Sequence, residues 1–314
     1  MRFIRILLTA LGVLAVLVLV AGWYLLGRTP VPEKSDYALD LNEVRRLAGA
    51  LPGDPPLRVN HEQVAVASLP KGAVFAAESP LAMFSFMTPH PMSHGAYQVV
   101  YPGGGFLMID SAFDADMLKK MSKDAPFSSD AWTAIQRGLA GASHIVITHE
   151  HADHIGGIAR FPEPEKLVGR VLLTEEQLDN AAMMKAAQVP ESLQKAVTPL
   201  VYDKYYAVAP GVVLVKAPGH TPGSQMIYVR LAGGKELLFL GDVAWHMDQI
   251  RQLWYRPRLV TDYFIHENRA QVMAEFRTLH DLAEREPIQL VVSHDVDQRK
   301  ELLASGVLGE HFEF

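Results

Sequence analysis

The 314-residue chain is 49% hydrophobic, has 29 basic against 35 acidic side chains for a formal charge of −6, and contains no cysteine. That length fits one or two domains with ample chain to bury a core, and the composition excludes disordered, collagen-like and low-complexity folds. Without cysteine there are no disulfides, thiolate-held zinc, iron–sulfur clusters or thiol nucleophiles, and mild acidity without a basic run argues against nucleic acid as a partner.

Residues 6–26 are 21 consecutive uncharged positions, mostly Leu, Val and Ala, behind Arg2 and Arg5. A helix of that length crosses the ~30 Å hydrocarbon layer of a bilayer. The competing reading is a signal peptide, cleaved to leave a secreted protein, but the apolar stretch of such peptides is usually about 7–15 residues. No Ala-x-Ala site follows, and Trp23 and Tyr24 suit interfacial anchors. The expected organisation is therefore a short tail (1–5), a transmembrane anchor (6–26) and a proline-rich tether (27–60), then a single domain (61–314). Arg2 and Arg5 nearly balance Arg28 and Lys34 across the span, and the short tail places the bulk of the chain on the extracytoplasmic, periplasmic side.

In the tether, Pro30, Pro32, Pro52, Pro55 and Pro56 break any long helix. Between them Asp40 can cap a short helix whose Leu41, Val44, Leu47 and Ala48 share one face, as in a helix laid on a domain surface. Beyond residue 61, apolar runs predict strands at 64–68, 73–76, 97–101 and 106–110. Pro102-Gly103-Gly104-Gly105 forms the turn between the last two. It lacks a following Gly-Lys-Ser/Thr, so it is no phosphate loop. Helices are expected around 115–121 and 130–140, and strands at 144–148, 170–173, 211–216, 225–231, 236–241 and 288–293. A helix over 267–285 places Val272, Phe276, Leu279 and Ala283 together, and a short helix ends the pattern. Two groups of strands with helices between them predict an α+β fold of packed sheets with helices outside.

The chain has 13 histidines, and three fall in Thr148-His149-Glu150-His151-Ala152-Asp153-His154. This segment sits where an apolar strand gives way to a helix, a corner that aims neighbouring side chains into one cleft. Imidazole and carboxylate are the ligands zinc takes when no thiolate is present. A His-Glu-x-x-His zincin motif fails, since residue 153 is aspartate. His220, in Pro218-Gly219-His220-Thr221-Pro222-Gly223, Asp242 and His294 each follow a predicted strand as well. One such residue is ordinarily a turn residue or a helix cap. The same placement repeated four times points to a metal site on a rigid frame.

The set His149-x-His151-x-Asp153-His154, His220, Asp242 and His294 resembles the ligands of the metallo-β-lactamase-fold hydrolases, over roughly residues 61–314. The resemblance implies a four-layer αββα sandwich with two Zn2+ ions. One would be held by His149, His151 and His220, the other by Asp153, His154 and His294, with Asp242 bridging. Asp110 matches a carboxylate that orients a ligand histidine. Two zinc ions about 3.5–4 Å apart would activate a shared hydroxide for attack on a carbonyl, with Asp153 as the catalytic proton shuttle. His151 in place of glutamate argues against the redox-active diiron branch.

Within that superfamily, His294-Asp295-Val296-Asp297-Gln298 and its spacing from Asp242 are similar to the N-acyl homoserine lactonases. Those carry tyrosine three positions after the bridging aspartate, where this chain has Trp245. An indole donates a hydrogen bond but is no acid, and His246 is either its substitute or a neutral surface histidine. The Met- and Phe-rich segment 83–92, with Phe84 and Phe86, either grips an acyl group or forms an edge of the core. Trp254 and Tyr255, beside Arg251, Arg256 and Arg258, read as a surface loop or as a wall for an anionic substrate. The expected protein is a membrane-anchored dizinc hydrolase of a small lactone, ester or lactam. The alternatives are phosphodiester or sulfate-ester hydrolysis and a non-catalytic metal-binding protein. The sequence carries no reading of the oligomeric state.

Overall fold

The computed structural model describes residues 2–314. Its ten strands are β1 (Arg58–Pro70), β2 (Pro89–Val100), β3 (Phe106–Ile109), β4 (Ile145–Val146), β5 (Val171–Leu172), β6 (Tyr205–Ala209), β7 (Val212–Lys216), β8 (Gln225–Arg230), β9 (Glu236–Phe239) and β10 (Ile288–Val291). They form two five-stranded sheets, ordered β1-β2-β3-β4-β5 and β10-β9-β8-β7-β6.

Strand alternation explains why so many of these runs are apolar without a break. In β3, Leu107 and Ile109 pack between the sheets with Val212, Leu214 and Phe239. Phe106 and Met108 face the other way, onto a core capped by the helices Ala115–Met121, Ser129–Gly141 and Ala152–Ala159. In β7, Val212 and Leu214 point between the sheets, while Val213 and Val215 meet the helix Arg269–Arg285. A strand covered on both faces needs apolar side chains at consecutive positions. Two sheets face to face with helices on both outer surfaces make the αββα sandwich expected from the sequence.

The N-terminal part has two helices, α1 (Arg2–Leu26) and α2 (Leu41–Ala48). Among the described residues α1 is the one helix long and apolar enough to cross a membrane, with a mean hydropathy of 2.7 over an 18-residue stretch and no buried residue. The Asp40 carboxylate accepts from the backbone N–H groups of Asn42 and Glu43 and so caps α2 as expected. Leu41, Val44 and Ala48 are buried against the second sheet.

Four local expectations need correction. Residues 73–76 are not a strand: Lys71–Val74 makes one helical turn, closed by the Phe75 N–H to Lys71 O bond, so Val74, Phe75 and Ala76 are buried in succession. Strand β6 was not foreseen, because it is a half-exposed edge with a bulge between Ala207 and Ala209. On the long C-terminal helix Ala283 is exposed, whereas Met273 and Glu275 turn inward. Tyr255 and Arg256 form neither a surface loop nor a substrate wall, since both are fully buried.

Sheet direction positions the site. β7 and β8 are antiparallel, as are β8 and β9, while β9 and β10 are parallel. The C-terminal ends of β7, β9 and β10 therefore share one end of the second sheet, and β3 and β4, parallel in the first, supply the facing loops.

Candidate metal centre

Each donor candidate leaves one of those strand ends. Residues 149–154 follow β4, with His154 in the first turn of the helix Ala152–Ala159; His220 follows β7, Asp242 follows β9 and His294 follows β10. All seven converge. His149 Nε2, His220 Nε2 and Asp242 Oδ2 lie around His151 Nδ1, with both imidazole separations 3.0 Å. The carboxylate oxygen Asp242 Oδ2 is 3.7 Å from each of His149 Nε2 and His220 Nε2. The other oxygen, Oδ1, is 3.2 Å from His154 Nε2 and 3.0 Å from His294 Nε2. Asp153 Oδ2 stands 3.7 Å from His154 Nε2 and 3.6 Å from His294 Nε2. Asp242 thus faces two donor groups with its two oxygens.

Hydrogen bonds on the far side of the rings set which nitrogen each presents. Nδ1 of His154 donates to Asp110 Oδ2 at 2.8 Å, Nδ1 of His220 to Glu267 Oε2 at 2.9 Å, and Nδ1 of His294 to the Ser93 carbonyl at 2.7 Å. His149 Nδ1 is 3.2 Å from the Thr148 hydroxyl, which itself lies 2.9–3.0 Å from both oxygens of Asp110. A proton fixed on Nδ1 leaves a lone pair on Nε2, aimed at the cluster.

The cluster fits metal ions. His154 Nε2 and Asp242 Oδ1 are buried and make no hydrogen bond, an arrangement that costs free energy unless a cation lies between them. Ligands around a tetrahedral zinc at ~2.0–2.1 Å stand ~3.3 Å apart, in the middle of the range found here. The charges agree. Burial lowers the His149 and His151 imidazoles, His151 to about 4, which keeps both neutral and able to coordinate. Burial opposes ionisation of Asp153 and Asp242, but the surrounding imidazoles win and hold both well below the usual carboxylate range. These are His154, His94 and His294 for Asp153, and His294, His154 and His149 for Asp242.

Asp110 stands where a ligand-orienting carboxylate belongs. It adopts φ +61°, an uncommon conformation for a residue with a side chain, and accepts the Thr148 N–H at 2.7 Å besides its bond to His154. The Trp245 indole N–H donates to Asp242 Oδ2 at 2.7 Å. His246 does not join the cluster: its Nδ1 caps the helix Met247–Arg251 by accepting the Asp248 N–H. Phe84 is exposed on the 3₁₀ helix Pro80–Ser85. Phe86 lines a cleft with Phe75 and Trp254 that includes no donor residue.

Three participants were not anticipated. His94, in the middle of β2, brings Nδ1 to 3.4 Å from Asp153 Oδ2, and His94, Asp153 and His294 form a third possible donor group. Glu267 orients His220 and pairs with buried Arg256 at 2.8 Å. Arg256 in turn donates to the carbonyls of Asp242 and Val243 and lies 4.5 Å over the Trp245 ring. His94 and Glu267 sit in no motif, and only the fold brings them in. Glu150, inside the His-rich segment, is buried and binds Asn180 and the Thr221 hydroxyl, tying that segment to the His220 loop.

Behind that loop, burial pushes the Glu275 carboxyl up to about 8, with Glu267 adding to the shift. The unfolded chain ionises near 4.3, so this group costs nothing below that pH, and its penalty grows up to about 8 and then stays constant. Glu275→Gln should therefore stabilise the fold by on the order of a few kcal/mol near pH 9 and leave it unchanged near pH 4. Thermal melts at the two pH values check it; equal shifts at both would contradict the buried neutral acid.

Comparison with known proteins agrees with this geometry. The profile of the Metallo-beta-lactamase superfamily matches residues 93–283. An N-acyl homoserine lactonase of Bacillus thuringiensis is 24% identical over 161 residues, which are 50% of this chain and 57% of that protein. The chain spans 57–60% of the length of such curated lactonases. Among solved structures, a quorum-quenching N-acyl homoserine lactone lactonase superposes with a TM-score of 0.60 at 15% identity, covering 79% of this chain and 95% of its own. A dizinc quorum-quenching lactonase superposes at 0.55 and 15% identity, covering 78% and 91%. With the profile spanning most of the sandwich and the donor set gathered at its sheet ends, the chain belongs to the metallo-beta-lactamase superfamily.

Proposed function

We propose that this protein is a membrane-anchored dizinc hydrolase acting on the carbonyl of a small lactone, ester or lactam, with an acyl homoserine lactone favoured. The observation that carries the reading is Asp242, whose two oxygens face two separate imidazole groups. His149, His151 and His220 would hold one zinc, Asp153, His154 and His294 the other, with Asp242 between them. When bound, such a pair lowers the pKa of a shared water and polarises the substrate carbonyl.

The chain's own residues supply the rest. Asp153 is kept ionised by its imidazole neighbours, so it can take a proton from the nucleophile and pass it to the leaving oxygen. Trp245 has its N–H committed to Asp242 and offers no acid, which leaves this task to Asp153. Asp110 and Glu267 hold His154 and His220 in orientation. The lactonase names of the relatives favour a cyclic ester. The 25-residue helix α1, about 38 Å at 1.5 Å per residue, supports an anchor.

The test is metal analysis of the purified full chain together with a panel of an acyl lactone, an aryl ester, an aryl phosphate and an aryl sulfate. Two zinc ions per chain and turnover of the lactone or ester are expected, with His151→Ala losing turnover and one of the two ions. A metal-free active protein, or faster cleavage of the phosphate or sulfate than of any carbonyl substrate, would overturn the reading.

A further inference from the structure

Most of the strongly exposed apolar side chains of the sandwich are gathered in one place. Outside α1, the six most exposed large hydrophobic residues are Leu81, Phe84, Met87, Val201, Tyr263 and Phe264, all between 59% and 80% accessible. Five of the six sit on two elements, the 3₁₀ segment that starts at Pro80 and the helix Arg258–Tyr263 with the residue that follows it. A 3₁₀ helix has three residues per turn, so side chains three apart eclipse one another. The i to i+3 hydrogen bonds continue through Phe86 and Thr88, which puts Leu81, Phe84 and Met87 on one outward face.

Both elements abut the C-terminal end of α1. Arg258 lies 5.0 Å over the Tyr24 ring, Met83 packs beside Gly22, and Leu26 shares a cleft with Met83 and Phe86. The helix end is also clamped. Ala77 N–H donates to Leu26 O at 2.7 Å, Arg28 N–H donates to Ala77 O at 2.8 Å, and the Arg28 side chain reaches Gln252 O at 2.6 Å. A domain held by that many bonds cannot swing freely on a tether, so its apolar face keeps a fixed aspect to the helix axis.

We propose that this face is a bilayer-docking surface: Leu81, Phe84, Met87, Tyr263 and Phe264 enter the interface of the membrane that α1 crosses. The inference rests on the reading of α1 as a membrane span. Its occupant is a phospholipid bilayer, because the face is continuous with an apolar helix none of whose residues is buried by the protein. Trp23, Tyr24 and Tyr263 add the aromatic residues that settle at the headgroup level. An apolar patch shared by two elements on a soluble surface marks an interaction site, unlike hydrophobic residues scattered singly. The surface also lies close along the chain to the metal centre: Met87 is seven residues before His94, and Phe264 three before Glu267. The sandwich would therefore rest on the membrane with those segments next to it.

The absence of cysteine makes the test clean. Phe84→Cys, Phe264→Cys, Leu14→Cys and Val201→Cys, each in the full chain, take an environment-sensitive fluorophore at one position only. The labelled proteins go into phosphatidylcholine nanodiscs, one chain per disc, with and without spin-labelled lipid. Labels at 84 and 264 should shift to the blue and be quenched by the spin label at least twofold more than the label at 201. The label at 14 reports on the span itself. Quenching at 14 without quenching at 84 and 264 overturns the docking face and leaves the anchor standing, whereas no quenching at 14 sinks both. A blue shift that appears only with two chains per disc, without lipid quenching, would assign the face to a second copy and overturn the proposal.

Discussion

Asp242→Ala should lower hydrolysis by at least about a thousandfold, equivalent to about 4 kcal/mol of transition-state stabilisation, and reduce bound metal to one ion per chain or fewer. This residue is singular because its two oxygens serve two donor groups, at 3.0–3.2 Å on one side and 3.7 Å on the other. Any other donor removed leaves the opposite group whole. Asp242→Asn separates charge from shape, since its amide oxygen still accepts the Trp245 indole N–H. That variant should fold like the parent, judged by its melting temperature, yet lose metal nearly as severely. Elemental analysis and initial rates on one preparation decide the matter, and two tightly held ions in Asp242→Ala would contradict a bridging role.

The largest effect on stability is expected at Glu267, which no motif contains. Its carboxylate accepts from His220 Nδ1 and from Arg256, in a pocket that excludes water from all three side chains. Removing one member of a buried ion pair costs about 3–5 kcal/mol, because the partner's charge is left uncompensated. Glu267→Leu should therefore destabilise the protein by about that amount in urea unfolding, and an effect below about 1 kcal/mol would refute the assignment. Glu267→Gln keeps an acceptor for His220 but removes the charge that pairs with Arg256, so it should destabilise the fold as well and weaken metal binding by about 10–100-fold. The pH dependence has a definite sign. Burial raises the Glu267 carboxyl, but Arg256 and His220 outweigh it and bring it down to about 2. Its contribution is full above the unfolded value near 4.3 and disappears as pH falls through about 2.

Much of this architecture could be read along the chain because the sheets are covered on both faces. Unbroken runs such as Val212–Lys216 and Glu236–Phe239 announce strands, and the donors that follow them stand out against apolar surroundings. What the sequence concealed shares one cause, dependence on contacts between segments far apart. β6 is an edge whose half-exposed residues carry little periodic signal. His94 is one histidine in a strand until β2 brings it beside Asp153, more than fifty residues onward. Arg256, in a stretch with several arginines, is identical in chemistry to its exposed neighbour Arg251. Only the fold shows that it braces Glu267 and the Asp242 backbone. The helical turn at Lys71–Val74 imitates a strand, since three successive residues there are buried.

The alternation along β9 has a consequence for how this protein tolerates insertions and deletions. Leu237 and Phe239 point between the sheets and Leu238 points to the helix side, and Asp242 leaves the strand three residues later. The direction of that carboxylate is thus encoded in the parity of the strand. Losing or gaining one residue within β9 would exchange the two faces and turn the loop that carries Asp242 by half a turn. Two changes of one residue each, or one of two residues, would restore it. Natural length variation at this end of the sandwich should accordingly fall outside the strands, in the loops beyond the donors.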